Sequence, residues 1–162
     1  MSEPFSIRSA VRGDVAAIHS MIRELAEYER LADLCVATEA QIAQELFGPN
    51  SNAEALVASI DGEVVGFALY FHNFSTFLGR KGLYLEDLLV RPAHRRRGYG
   101  RALLLAVARI AQERGCGRFE WMALDWNEPA IGFYERLGAQ QMSEWRLFRV
   151  TGEALSALAA MR

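Results

Sequence analysis

The sequence predicts an α/β chain: a mixed sheet covered by helices. Three observations carry this. Apolar and β-branched runs come first as a meander, "ALVASI", "VVGFALYF" and "LYLEDLLV". Further strand-like runs then alternate with helical periodicity, the pattern of a sheet with helices packed on it. The chain has 162 residues, 51% apolar and 23% charged, which suits one domain, 1–162, with a sizeable core.

The elements follow in order. "FSIRSA" reads as a short first strand. From Asp14, Val15, Ile18, Ile22 and Leu25 recur at helical spacing. Thr38 with Gln41 three residues later is a capping box and opens a second helix. "ALVASI" and "VVGFALYF" flank Asp61-Gly62 and form a hairpin. "LYLEDLLV" is the fourth strand, ended by Pro92. A long helix runs from about Gly98 to Arg114, with Gly115 as its stop. "RFEWMAL" is a fifth strand. "EPAIGFYERL" is a helix between Asn127, its N-cap, and Gly138. "SEWRLFRV" reads as a late strand and "GEALSALAAM" as a terminal helix.

Composition excludes several classes. The net charge of −2 argues against a general nucleic-acid binder. Cys35 and Cys116 have no metal-ligand spacing, so no metal is expected, and they read as free thiols of a reducing cytoplasm. "MSEPFSIRSA" has no apolar core of a signal peptide, and no apolar run approaches 18 residues, so neither export nor a membrane is expected.

Against this acidic balance, "VRPAHRRRGYGRALL" concentrates positive charge between a strand and a helix. Gly98 and Gly100 allow close backbone approach, so that successive N–H groups can turn toward one anion. The helix adds its positive N-terminal end, and Arg95, Arg96, Arg97 and Arg101 can grip phosphate oxygens. There is no Walker loop, and a dinucleotide fingerprint fails because Leu103 stands where the third glycine belongs. A solvated charge run is the bland alternative.

The pattern Arg95-x-x-Gly98-x-Gly100 resembles the pyrophosphate loop of the GNAT acetyltransferases, and the order of elements from residue 5 to about 150 matches that family. "IRELAEYE", "LYLEDLLV", "WNEPAIGFYERLGA" and "WRLF" are similar to segments of the diamine acetyltransferases, the spermidine/spermine N1-acetyltransferases and their thialysine-acetylating relatives. The resemblance implies a GNAT acyl-CoA N-acyltransferase fold with a central mixed, largely antiparallel sheet. It implies acetyl-CoA as cosubstrate, a small primary amine as acceptor and a homodimer in which "SEWRLFRV" and the terminal helix meet. It places the pantetheine arm on the backbone of Leu88 and Val90, and the phosphates on the loop from Arg95 through Tyr99 to Arg101. Asn127 and Tyr134 fall near the pantetheine and sulfur, with Tyr134 as proton donor to the departing thiolate. Glu86 and Asp87 hold the places of acids that meet the amine, and Tyr28 and Glu29 the places of substrate contacts. Ser75 and Phe77 stand where the polyamine enzymes carry an acid and a tryptophan, which resembles the thialysine branch and implies a short amine.

The residues themselves bear on that chemistry. An alkylammonium has a pKa near about 10.4 and must lose a proton before it attacks. A nearby carboxylate can attract the cation and accept that proton. Glu86 and Asp87 are adjacent in a strand, so they face opposite sides unless a bulge intervenes. Glu86 is favoured as the amine-side acid, with Asp87 the second choice. Backbone N–H groups on the open edge of the fourth strand could stabilise an oxyanion. Cys116, between two glycines and without a histidine nearby, is not expected to act as a nucleophile. His19 reads as a surface or partly buried side chain, and His94 as facing phosphate or solvent. A protein N-acetyltransferase and a non-catalytic acyl-CoA sensor of the same fold remain as alternatives.

Overall fold

The computed structural model describes residues 5–162. The chain divides into two compact units, the first ending at Met122 and the second beginning at Ala123.

In the first unit, strand β1 (Phe5–Ser9) leads into helix α1 (Val15–Tyr28) and helix α2 (Glu39–Phe47). Strands β2 (Glu54–Ile60), β3 (Glu63–Ser75) and β4 (Arg80–Val90) follow as a meander. Helix α3 (Tyr99–Glu113) then returns the chain to the short strand β5 (Phe119–Trp121). The sheet order is β1-β2-β3-β4-β5. The first four strands are antiparallel, and β5 joins β4 in parallel. The expected mixed, largely antiparallel sheet is therefore present. The single parallel pair follows from the crossover through α3.

Local chemistry sets these boundaries. At α2, the Thr38 N–H donates to Gln41 Oε1 at 2.9 Å, and the Gln41 N–H donates to Thr38 Oγ1 at 3.2 Å. That is the capping box read from the sequence. The β2–β3 turn has positive φ at both Asp61 (49°) and Gly62 (84°), as a type I′ hairpin requires. On one side of the sheet, Ile18 and Met21 of α1 and Leu46 of α2 pack on Val57, Phe67 and Leu89. On the other, α3 buries Leu103, Leu104, Val107 and Ala111 and lies along β2, β3 and β4.

The second unit holds helix α4 (Glu128–Arg136) and helix α5 (Gly152–Ala160). Here one expectation is corrected: residues 143–150 form no strand. The alternation in "SEWRLFRV" supplies a strand pattern, but a strand needs a ladder partner, and this unit contains no other strand among the described residues. Trp145 and Phe148 are instead 73% and 90% exposed. No helix among the described residues is long and apolar enough to cross a membrane.

Candidate active site

The site begins with one extra residue in β4. Leu69 pairs with Asp87, but the next residue, Tyr70, pairs with Leu85. Glu86 is left unmatched, which is a β-bulge. Leu69 and Tyr70 face opposite sides of the sheet, so their partners Asp87 and Leu85 do too. The bulge thus re-phases the strand. Leu83 and Leu85 are buried on one face, whereas Asp87 shares the other face with Leu89, under α1.

The backbone changes phase with the side chains. Below the bulge, the Leu83 N–H donates to the Arg118 carbonyl beside β5, at 3.0 Å. Above it, the Arg91 N–H donates to the Val65 carbonyl of β3, at 2.9 Å. Ladder bonds alternate, so Leu88 and Val90 direct their N–H and C=O groups away from β3. β5 ends opposite Leu85, and no described strand lies beside Glu86–Val90 on that side. Leu88 and Val90 therefore face an open edge.

Asp87 lines a cavity of about 190 Å³ together with Glu29, and Ile22, Leu25, Ala26, Leu31, Leu34 and Cys35 form its mostly apolar wall. Burial, then the negative charges of Glu86 and Glu29, push the Asp87 carboxyl up to about 7. Burial and the charge of Glu86 also raise Glu29. Glu86 itself is exposed and does not line the cavity. Both acids of the "LED" stretch thus act on one site electrostatically, and Asp87 is the one that faces it. Glu29 arrives there through the end of α1. The Arg30 N–H donates to the Glu27 carbonyl and the Leu31 N–H to Ala26, a Schellman closure with Arg30 in the left-handed region at φ 62°.

Beyond Val90 a short turn, Pro92–His94, leads to the arginine loop. Gly98, at φ 82°, is the N-cap of α3, and the Ala102 N–H makes the first helical bond back to its carbonyl. The N–H groups of Tyr99, Gly100 and Arg101 precede that bond, at the positive end of the helix dipole. A Cβ at Gly100 would meet only Val90 Cγ2, at 3.8 Å, and one at Gly98 would meet nothing within 4 Å. The protein's own packing therefore does not demand glycine at 100, and the space above the helix end is open. Arg96, Arg97 and Arg101 are exposed around it. This donor set fits the diphosphate of a coenzyme A thioester. Tyr99 turns the other way and stacks on Phe5, with ring centres 4.2 Å apart. Arg95 also folds back: its Nε–H donates to the Val90 carbonyl at 2.8 Å, and its guanidinium lies 5.3 Å above the Tyr28 ring.

Other expected residues lie elsewhere. Ser75 and Phe77 sit at the β3–β4 turn. Ser75 is buried and its Oγ accepts from the Leu78 N–H, so its hydroxyl shapes the turn. Phe77 is 96% exposed. Along β4 the turn is roughly 23 Å from Asp87, at about 3.3 Å per residue, so the structure does not bring this pair to the cavity. His94 buries its Nδ1 rather than offering it to phosphate or solvent. His19 Nε2–H donates to the Ala37 carbonyl at 2.7 Å and holds the segment after the cavity wall. Cys116 lies half-buried just beyond α3. In the second unit, Asn127 takes the N-cap position of α4 without a side-chain cap bond, and Tyr134 lies within α4, its ring 5.5 Å from that of Phe133. Sequence reasoning missed Cys35 in the cavity wall and Arg91, whose four-residue spacing from Arg95 was the available signal. Among the described residues no cluster of His, Cys, Asp or Glu is arranged to hold a metal ion.

A model of the acetyltransferase (GNAT) family matches residues 17–139, most of the chain. The chain belongs to the GNAT acetyltransferase family. As a GNAT protein it is an N-acetyltransferase, and its curated relatives agree. It is 42% identical to a thialysine N-epsilon-acetyltransferase of Sus scrofa, over 94% of this chain and 96% of that protein. It is 36% identical to an L-ornithine N5-acetyltransferase of Arabidopsis thaliana, over 94% and 86%. Among solved structures, an integron cassette protein from the mobile metagenome of V. cholerae superposes with a TM-score of 0.81 at 28% identity, covering 97% of this chain and 98% of that one. A ribosomal-protein-alanine N-acetyltransferase from Brucella melitensis shares the GNAT fold at a TM-score of 0.71 and 21% identity, over 92% of this chain and all of that one.

Proposed function

We propose that this enzyme transfers acetyl from acetyl-CoA directly to a small primary amine: a thialysine-like amino acid, a diamine or a polyamine, with short acceptors preferred. One observation carries the reading. A carboxyl group held near neutrality, beside two further acids, lines a small apolar cavity next to an open strand edge. The relatives that act on thialysine and ornithine support it. The cavity, smaller than a drug-sized pocket, supports a short acceptor better than Ser75 does.

Acetyl-CoA, when bound, supplies a thioester activated for attack by an amine. The α3 N-terminus with Arg96, Arg97 and Arg101 would hold its phosphates, and Leu88 and Val90 its pantetheine arm. Glu29 and Glu86 attract the ammonium. Asp87 takes its proton, directly or through water. An ordinary aspartate would face a gap of about six to seven pKa units to the amine, and a value near 7 roughly halves it. The Leu88 N–H on the open edge donates to the carbonyl oxygen as negative charge gathers there. Tyr134 returns a proton to the sulfur, the role its place in "FYERLG" implies. The family match runs through both units and supports one acetyltransferase domain over 1–162. A cytoplasmic homodimer completes the reading. The exposed apolar residues of 145–150 and of α5 support the dimer.

The test is acetyl-CoA turnover over thialysine, ornithine, short diamines, spermidine and a peptide panel. Highest kcat/KM on a short amine is expected. Faster acetylation of peptides, or coenzyme A binding without turnover, would replace this reading by one of its rivals.

A further inference from the structure

Two arginines join the cofactor loop to the acceptor helix. Arg91 Nε–H donates to Glu24 Oε1 at 3.2 Å, and its NH1 donates to the Val64 carbonyl, also at 3.2 Å. Arg95 binds the Val90 carbonyl and covers the Tyr28 ring. Glu24 and Tyr28 are four apart on α1, hence neighbours on one face. Arg91 and Arg95 are four apart as well, at either end of the Pro92–His94 turn. The result is a two-rung clamp between the end of α1 and the end of β4. The cavity residues Leu25, Ala26 and Glu29 are interleaved with the clamped ones along the same helix.

We propose that Arg91 and Arg95 are positioning residues that hold Glu29 opposite Asp87, so that the phosphate loop and the acceptor cavity behave as one mechanical piece. Arg95, folded back onto the Val90 carbonyl and the Tyr28 ring, takes this role in place of the phosphate contact its position implies, and Arg91 has no other. The catalytic consequence rests on the function proposed above, but the clamp itself does not. A partly exposed cation–π contact or ion pair couples its ends by about two- to five-fold.

Native-state amide exchange tests it without any substrate. The Leu31 N–H, bonded to the Ala26 carbonyl, closes α1. Arg91→Gln and Arg95→Gln should each speed exchange at Leu31 by about two- to five-fold relative to Val57 in the core of β2, since local opening is read separately from global unfolding. In a Tyr28→Leu background, Arg95→Gln should add nothing. In a Tyr28→Phe background, which keeps the ring face, its effect should remain. The amine KM should follow the same pattern: Arg95→Gln should raise it in the wild-type and Tyr28→Phe backgrounds but not in the Tyr28→Leu background. Exchange at Leu31 that is unchanged, or that rises only in step with Val57, overturns the clamp. So does an Arg95→Gln effect confined to acetyl-CoA affinity. If wild-type enzyme acetylates no amine, the proposed function falls, while the exchange result still decides the clamp.

Discussion

Asp87 owes its basicity to burial beside two other carboxylates, and this has opposite effects on catalysis and stability. Its folded pKa, about 7, lies above its unfolded value of 3.8. The folded state therefore binds the proton more tightly, and stability falls as pH rises from about 4 to about 7. Asp87→Asn should remove that loss, so thermal melting at pH 8 should show the variant above wild type. The same variant should lose about 10²- to 10⁴-fold in kcat, together with the limb near pH 7 in the kcat/KM profile. A variant that keeps this limb would assign it to Glu29, whose carboxyl burial also raises. Asp14 behaves in the opposite sense. Arg8 grips both its oxygens, at 2.7 and 3.0 Å, and holds its carboxyl below the usual range. Its contribution is present above the unfolded pKa of 3.8 and is lost as pH falls through the lower folded value. Acid titration of Asp14→Asn should therefore show a shallower loss of stability than wild type. The acids of "LED" were legible in the sequence, but which one faces the cavity was not. Strand parity ranks Glu86 and Asp87 as opposites, and only the unmatched residue at 86 puts Asp87 beneath α1.

Among the elements, the turn into α3 has the clearest sequence signature. Glycine at 100 answers no packing need within the protein, so Gly100→Val should fold normally. Its side chain would stand where a phosphate approaches the first-turn amides, and calorimetry should show acetyl-CoA binding weakened about tenfold or more, the scale of one lost charge-assisted contact. Unchanged affinity would remove this helix end from the site. The capping box at Thr38 was equally legible, because its two hydrogen bonds lie within four residues. Thr38→Ala should cost about 1 kcal/mol by denaturant titration. Residues 143–150 show the limit of such reading. Alternation reports a two-residue period but carries no information about a partner strand. The stretch at 75–77 shows a different limit. Resemblance assigns it to the acceptor, while a long β3–β4 hairpin places it at the far end of the strand from the cavity.

At the scale of the molecule, the order of strands and helices was readable because each element carries its own period and its own stops. The charge layout was readable too, since four arginines lie within seven residues, 95 to 101, of a chain whose net charge is −2. Such a local positive field is screened by salt, with a Debye length near 8 Å at physiological ionic strength. The KM for acetyl-CoA should therefore rise with added salt, and by more than the amine KM, because the loop arginines are exposed while Asp87 and Glu29 are partly buried, where salt screens less. Steady-state kinetics in sodium chloride would show it. The bulge at Glu86 has a consequence for inheritance rather than for energy. Every carboxylate of this centre could survive in the gene while the deletion of one codon, at 88, absorbed the bulge: Glu86 would then pair with Leu69, and Asp87, opposite Ala68, would turn to the wrong side of the sheet. The enzyme is thus more exposed to a lost residue than to most exchanged ones. In a descendant chain, strand length between "LYL" and the arginine loop would report lost activity before any missing side chain did.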